Sequence, residues 1–140
     1  KRWIHFTDNE KLHPDGGRAQ KVMPLINALN ASCKELPVSS RLAVDEMTVP
    51  FKGKSALKMY NPQKPSKWGY KFQAIVGHVG LLYYLELYEG KGNNVVDDGA
   101  PDLGVSSNVV VRLVRKIVDP AVEGGVEHLY FDNWFTSLPL

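Results

Sequence analysis

Two short apolar segments, each leading into an acidic residue, constrain the fold of this chain most strongly. In residues 41–50, an apolar run leads to Asp45 and Glu46, and a proline ends the segment. In the second segment, residues 129–131 lead into Asp132. Apolar runs of this length between turn-forming residues are typical of buried strands. The sequence therefore predicts two strands that each deliver a carboxylate.

The residues between these two strands predict a mixed α/β sheet with a crossover helix. Residues 72–76 and 81–88 flank a glycine-containing turn, which predicts an antiparallel hairpin. Apolar residues at helical spacing predict a helix over residues 106–118, with Ser106 or Ser107 as its N-cap. A helix that crosses from the hairpin to a fourth strand parallel to the first makes a mixed sheet. In such a sheet the two acidic segments can be neighbours, so that their carboxylates meet near the strand ends.

Residues 1–38 predict a helical lead-in segment that packs against the rest of the chain. Pro24 suits the first turn of a helix, and Pro37 closes it. The apolar stripe predicted for this helix consists of Leu25, Ile26, Leu29, Cys33 and Leu36.

The composition predicts one globular core and no membrane span. The chain has 140 residues, of which 44% are hydrophobic. No apolar run approaches the roughly 20 residues that a transmembrane helix needs. Cys33 is the only cysteine, which excludes an internal disulfide and fits a reducing compartment such as the cytosol or nucleus. Because the chain starts at Lys1 without a methionine, we expect a segment of a longer protein.

Charge is distributed unevenly along the chain. The formal net charge is only +2, but residues 51–71 contain six lysines and no acid, whereas residues 72–140 contain four basic and nine acidic residues. Such a basic segment is typical of a polyanion-binding surface or of a solvated lysine face. Tyr60 and Trp68 in this segment could stack on bases or pack the loop onto the body. The candidate DNA-binding residues are Lys52, Lys54, Lys58, Lys64, Lys67 and Lys71.

Asp45 and Asp132 are the candidate metal ligands. An ionised carboxylate beside a buried strand is costly unless something compensates its charge, and a bound cation does so. Glu46 is left out of the site because successive side chains of a strand point to opposite faces. For each aspartate, a capping or turn role is the simpler alternative.

Three motifs occur in order along the chain. They are an Asp-Glu ahead of Pro-Phe-x-Gly, a Lys-Pro-x-Lys-x-Gly, and an Asp-Asn-x-Phe-Thr-Ser. The first two lie in the run AVDEMTVPFKGKSALKMYNPQKPSKWGYKF, and the third lies in HLYFDNWFTSLPL. Together with YLELYEGKG and the upstream FTDNEKLHP and KVMPLINALN, these stretches resemble the piggyBac-type DNA transposases and their domesticated derivatives. The resemblance covers nearly the whole chain.

The resemblance implies an RNase H-like fold in which residues 39–140 form the N-terminal part of a transposase catalytic domain. It implies that Asp45 and Asp132 match the first two catalytic aspartates of the family and bind Mg²⁺ or Mn²⁺. The family's third aspartate lies downstream, in a segment that this chain does not contain, so the expected domain is incomplete. The implied reaction is metal-dependent phosphodiester cleavage and strand transfer in cut-and-paste transposition.

The resemblance also implies partners and a cellular location. The expected partners are DNA transposon ends and a TTAA target, and the expected location is the nucleus. No membrane partner is expected. The resemblance leaves open whether the longer protein forms a homodimer. An alternative function is that of a domesticated derivative that binds DNA or chromatin but no longer cuts it. A third alternative is an incomplete domain without an independent function.

Overall fold

A five-stranded mixed sheet with an α-helix on each face forms the centre of the structure. The computed structural model describes residues 6–14, 16–90, 96, 99, 101–118 and 125–136. The predicted mixed α/β architecture with a helix between the hairpin and the last strand is confirmed. After a 3-10 turn at Asn9–Lys11, the elements in chain order are α1 (Met23–Cys33), β1 (Arg41–Pro50), β2 (Met59–Tyr60), β3 (Trp68–Gly77), β4 (Leu82–Leu87), α2 (Val105–Ile117) and β5 (His128–Phe131).

β1 lies between β3 and β5 in the sheet. β3 and β4 pair antiparallel, which confirms the predicted hairpin. β5 pairs with β1 in parallel, as predicted for the strand that precedes Asp132. β2 is a two-residue strand that the sequence analysis missed, and it pairs with Trp68 and Gly69 of β3. Gly69 also faces β1, where a Cβ would collide with the Val49 backbone, so the glycine lets the strands approach closely.

Each helix covers one face of the sheet and completes one apolar cluster. α2 contributes to the larger cluster, which consists of Leu42, Val44, Ile75, Tyr83, Val109, Val110, Leu113 and Phe135. α1 contributes to the smaller cluster, which consists of Ala19, Ile26, Ala74, Leu85 and Leu87. None of the helices in the described ranges is long and apolar enough to cross a membrane.

The stripe that the sequence predicts for α1 is wrong at two positions. Leu25 and Leu29 are 46% and 43% exposed, whereas the buried residues of the helix are Ile26, Asn30 and Cys33. Asn30 forms two hydrogen bonds with the Leu85 backbone, one donated by its Nδ2 (2.9 Å) and one accepted by its Oδ1 (3.0 Å). These bonds fix which face of α1 meets β4, and apolar periodicity cannot reveal them.

The predicted cap of α2 is also wrong, although the helix lies within one residue of its predicted bounds. Gly104 is the N-cap, and its φ of 89° is one that glycine adopts without strain. Just upstream, Asp102 Oδ1 accepts hydrogen bonds from Asn108 Nδ2 (2.7 Å) and from the Gly104 N–H (3.0 Å). The bond from Asn108, and secondly that from Gly104, lowers the pKa of the Asp102 carboxyl below its ordinary value. Ser107 lies inside the helix, where its hydroxyl donates to the Phe135 carbonyl (3.0 Å).

Candidate functional site

The pairing of β1 with β5 brings the two candidate acids next to each other. Val44 and Phe131 are the last paired residues in the parallel register, and Asp45 and Asp132 are the residues that follow them. Neighbouring strands in a sheet lie about 4.8 Å apart. Asp45 and Asp132, which have 86 residues between them in the sequence, are therefore neighbours at the end of the β1–β5 pairing.

Side-chain alternation assigns Asp45 to one face of the sheet. Leu42 and Val44 belong to the cluster under α2, and Leu129 and Phe131 pack against that cluster from β5. Successive side chains of a strand point to opposite faces. Asp45 therefore lies on the face opposite α2, and Asp132 is the first residue past the end of β5.

Both carboxylates are exposed and have oxygen atoms to spare. Asp45 Oδ1 accepts a hydrogen bond from the Glu46 N–H (2.7 Å), and Asp132 Oδ1 accepts one from the Trp134 N–H (2.9 Å). Across the parts of the chain that the structure describes, neither acid is a member of an ion pair. In the same parts, no cluster of three or more His, Cys, Asp or Glu side chains could hold a metal ion.

This donor set fits Mg²⁺ or Mn²⁺ as a partial ligand shell. Mg²⁺ is commonly bound by one or two carboxylates together with several waters and a substrate phosphate. Two adjacent, exposed aspartates without cationic partners supply that number of carboxylates. Glu46 is not available in the same way, because its carboxylate forms an ion pair with Lys71 of β3.

The turn after Asp132 is anchored in the core by Phe135. Phe135 is 1% exposed, and its N–H donates to the Asp132 carbonyl (3.1 Å). Its own carbonyl accepts the Ser107 hydroxyl. The sequence pattern does not identify Ser107 as a residue of this site, because its signal is that of a helix cap. Trp134, by contrast, is 50% exposed.

The six candidate lysines differ in how they are held. Lys52, Lys54 and Lys67 are exposed. Lys58 donates to the Gly53 carbonyl (2.8 Å), and its Nζ lies 4.9 Å from the centroid of the Trp68 ring. Lys71 is only 21% exposed and is held by Glu46. The loop therefore presents several exposed cationic side chains, whereas Lys71 is an internal contact of the sheet.

Two aromatic rings lie exposed beside these lysines. Tyr60 and Trp68 are paired residues of β2 and β3, and their ring centroids are 4.8 Å apart. They are 51% and 49% exposed. They thus pack on each other and still present about half of their surface to solvent.

An open groove of about 660 Å³ joins the acidic and basic parts of the surface. Asp45 and Met47 of β1 line it, together with Ala74 and Val76 of β3. The loop contributes Lys64–Ser66 to the same groove. A candidate metal ligand and a candidate phosphate-binding lysine therefore share one concave surface.

Comparison with known proteins connects this geometry to a family. A family model described as Transposase IS4 matches residues 1–140. The chain belongs to this transposase family. Proteins similar to it include human PiggyBac transposable element-derived protein 3, with 30% identity over 138 residues, and the resemblance to piggyBac-type transposases is confirmed.

The matched relatives are much longer than this transposase-family chain. The match covers 98% of the chain but 22% of PiggyBac transposable element-derived protein 3. A human Chimeric ERCC6-PGBD3 protein is also 30% identical over 138 residues, which is 12% of its length. The chain's fold matches that of a piggyBac transposase solved as a synaptic complex with hairpin DNA, with a TM-score of 0.78, 24% identity, and coverage of 99% of this chain and 28% of the other.

Proposed function

We propose that this chain is the part of an RNase H-like transposase catalytic domain that supplies the first two metal-binding carboxylates, Asp45 and Asp132. The single observation that carries the proposal is the parallel register of β1 and β5, which makes the two aspartates neighbours. Membership of the transposase family supports it. The proposed reaction is metal-dependent cleavage and joining of DNA phosphodiester bonds by the longer protein.

Each aspartate has a distinct structural support for this role. Asp45 lies in β1, where its backbone pairs with Ala74 of β3, one residue past the last pair between β1 and β5. Asp132 lies where β5 turns, and its carboxylate is oriented by the Trp134 N–H. When bound, a divalent ion supplies charge stabilisation for the attacking and leaving oxygens of the phosphodiester. The chain's part is to hold two exposed carboxylates next to each other at the end of the β1–β5 pairing.

Metal binding tests this assignment directly. We expect Mn²⁺ to bind the wild-type chain, and we expect Asp45→Asn or Asp132→Asn to weaken binding beyond the roughly 10- to 100-fold that changes in ligand-supporting residues cost. Isothermal titration calorimetry with Mn²⁺ alone measures this. Glu35→Gln is the matched control, because Glu35 is exposed and lies outside β1 and β5. Far-UV circular dichroism of each variant confirms that the fold is retained.

Two results would overturn the assignment. The first is that Mn²⁺ binds the wild type and both asparagine variants equally well. The second is that the wild type binds no Mn²⁺ but binds duplex DNA, which favours the domesticated, non-cutting alternative for this chain.

We further propose that the loop between β1 and β3 binds the DNA backbone. Lys52, Lys54 and Lys67 are exposed, and Lys64 lies in the groove with Asp45. The solved relative of similar fold is a transposase complex with hairpin DNA, which supports a nucleic-acid partner. Exposed cationic side chains of this kind bind phosphates and position the duplex without reading its sequence. Tyr60 and Trp68 offer exposed rings for contacts to unpaired bases.

The salt dependence of DNA binding tests the loop. Replacing Lys52, Lys54 and Lys67 together by glutamine is expected to weaken duplex binding and to flatten the slope of log K against log salt by about 0.9 for each phosphate that the variant no longer neutralises. Fluorescence anisotropy at several salt concentrations measures both quantities. The control replaces Lys11, Lys21 and Lys34, which are exposed lysines outside the loop, so that the change in net charge is identical. Equal slopes for the two triple variants would contradict a specific role for the loop.

A further inference from the structure

Three residues connect the central strand to the turn that carries Asp132. Glu46 of β1 forms an ion pair with Lys71 of β3. The Lys71 ammonium in turn lies 4.9 Å from the centroid of the Trp134 ring. The Trp134 N–H donates to Asp132 Oδ1 (2.9 Å). A continuous set of contacts therefore runs from β1, across β3, to the carboxylate that follows β5.

The Lys71 side chain is held in a way that a phosphate-binding lysine is not. Its ring contacts are with Trp134 on one hand and with Tyr88 on the other, the second at 5.6 Å. Both members of its ion pair are about one-fifth exposed. A cation in contact with an indole face is attracted by the electrons of the ring, and more strongly when water is partly excluded.

The Trp134 ring contacts two side chains. Its side chain is 50% exposed, and beside Lys71 its ring meets Phe135 edge-on, with centroids 4.8 Å apart. The ring and the backbone N–H that orients Asp132 belong to the same residue, so contacts that fix the ring also restrict movement of the turn at Trp134. We propose that Lys71 is a positioning residue for Asp132, acting through Trp134, rather than a DNA-binding residue. This inference rests on the proposed role of Asp132.

The sign of the effect on metal affinity separates this role from simple electrostatics. A nearby ammonium repels a divalent cation, so removal of its charge alone would tighten metal binding. Loss of a group that orients a metal ligand weakens binding instead. We expect Lys71→Met, which retains most of the apolar stem, to lower Mn²⁺ affinity about 10-fold. Lys21→Met, a change of the same charge at an exposed lysine outside the loop, is expected to leave it unchanged.

Further variants show whether the effect passes through Trp134. Lys71→Arg retains a cation that stacks on indole, and it is expected to bind Mn²⁺ like the wild type. Trp134→Leu is expected to match Lys71→Met, and the double variant is expected to bind no more weakly than either single variant, because both remove the same interaction. Without metal, hydrogen exchange of the Trp134 amide is expected to be faster in Lys71→Met by about 2- to 30-fold, the range that corresponds to one cation–π interaction.

The possible outcomes distinguish this inference from the function on which it rests. If Asp45→Asn and Asp132→Asn abolish Mn²⁺ binding but Lys71→Met leaves it equal or tighter, the positioning role is wrong and the metal site stands. If neither asparagine variant affects binding, the metal site itself is wrong. If Lys71→Met and Trp134→Leu effects add fully, Lys71 does not act through Trp134, and the inference fails.

Discussion

Replacing Phe135 with alanine is expected to lower the free energy of unfolding by about 3–5 kcal/mol, which is the usual cost of truncating a buried phenylalanine. Phe135 is 1% exposed and belongs to the cluster formed by β1, β3, β4 and α2. Its main chain is tied to the Asp132 carbonyl and to the Ser107 hydroxyl. Because these two hydrogen bonds hold the main chain of the turn, the turn cannot easily move into the cavity that the ring leaves. Urea denaturation followed by circular dichroism measures the decrease in stability.

The loss of stability should depend on the burial of the Phe135 ring, and it should also affect the turn that carries Asp132. Phe6→Ala is the matched control, because Phe6 is 48% exposed and its truncation should change stability little. Phe135→Leu retains much of the volume and is expected to cost clearly less than the alanine variant. If Phe135→Ala is as stable as Phe6→Ala, the turn after β5 does not pack into the core as described. In that case the turn would hold Asp132 in place without the buried Phe135 ring.

The longer strands of this fold could be predicted from the sequence, because turn-forming residues bound their apolar runs. β1 has the predicted bounds, and the parallel approach of β5 follows from a helix of 13 residues between the hairpin and the last strand. The adjacency of Asp45 and Asp132 could be predicted for the same reason, since it depends only on strand order. β2 could not, because two residues beside two prolines carry no periodic signal.

The contacts that support the site could not be predicted, because they join polar groups across long sequence separations. Ser107 matches the pattern of a helix cap, and only the fold shows that its hydroxyl reaches the Phe135 carbonyl. Lys71 is one of six lysines in residues 51–71, and it differs from the other five by its position on β3 opposite Thr48. From there it reaches both Glu46 and Trp134. Residue type identifies such groups as polar, but their partners are a property of the assembled sheet.

The second large effect is expected for Asn30→Ala, which should cost about 2–5 kcal/mol. Asn30 is buried, and its amide satisfies both the N–H and the carbonyl of Leu85 in β4. Each buried backbone group left without a partner costs about 1–3 kcal/mol. Asn30 thus hydrogen-bonds to the outer edge of β4 as a neighbouring strand would. Without it, the sheet would present unpaired backbone groups there. Chemical denaturation of the variant measures the cost.

Asn27 provides the control, since it is an exposed asparagine on the same helix, and Asn27→Ala is expected to be neutral or slightly stabilising through higher helix propensity. Hydrogen exchange localises the effect of Asn30→Ala. The Leu85 amide should lose protection more than the amides of β1, because the freed edge opens before the centre of the sheet. Unchanged protection at Leu85 together with unchanged stability would show that α1 does not hold the edge of β4. A uniform loss of protection across the sheet would instead mean that α1 and the sheet unfold as one cooperative unit, with Asn30 stabilising both.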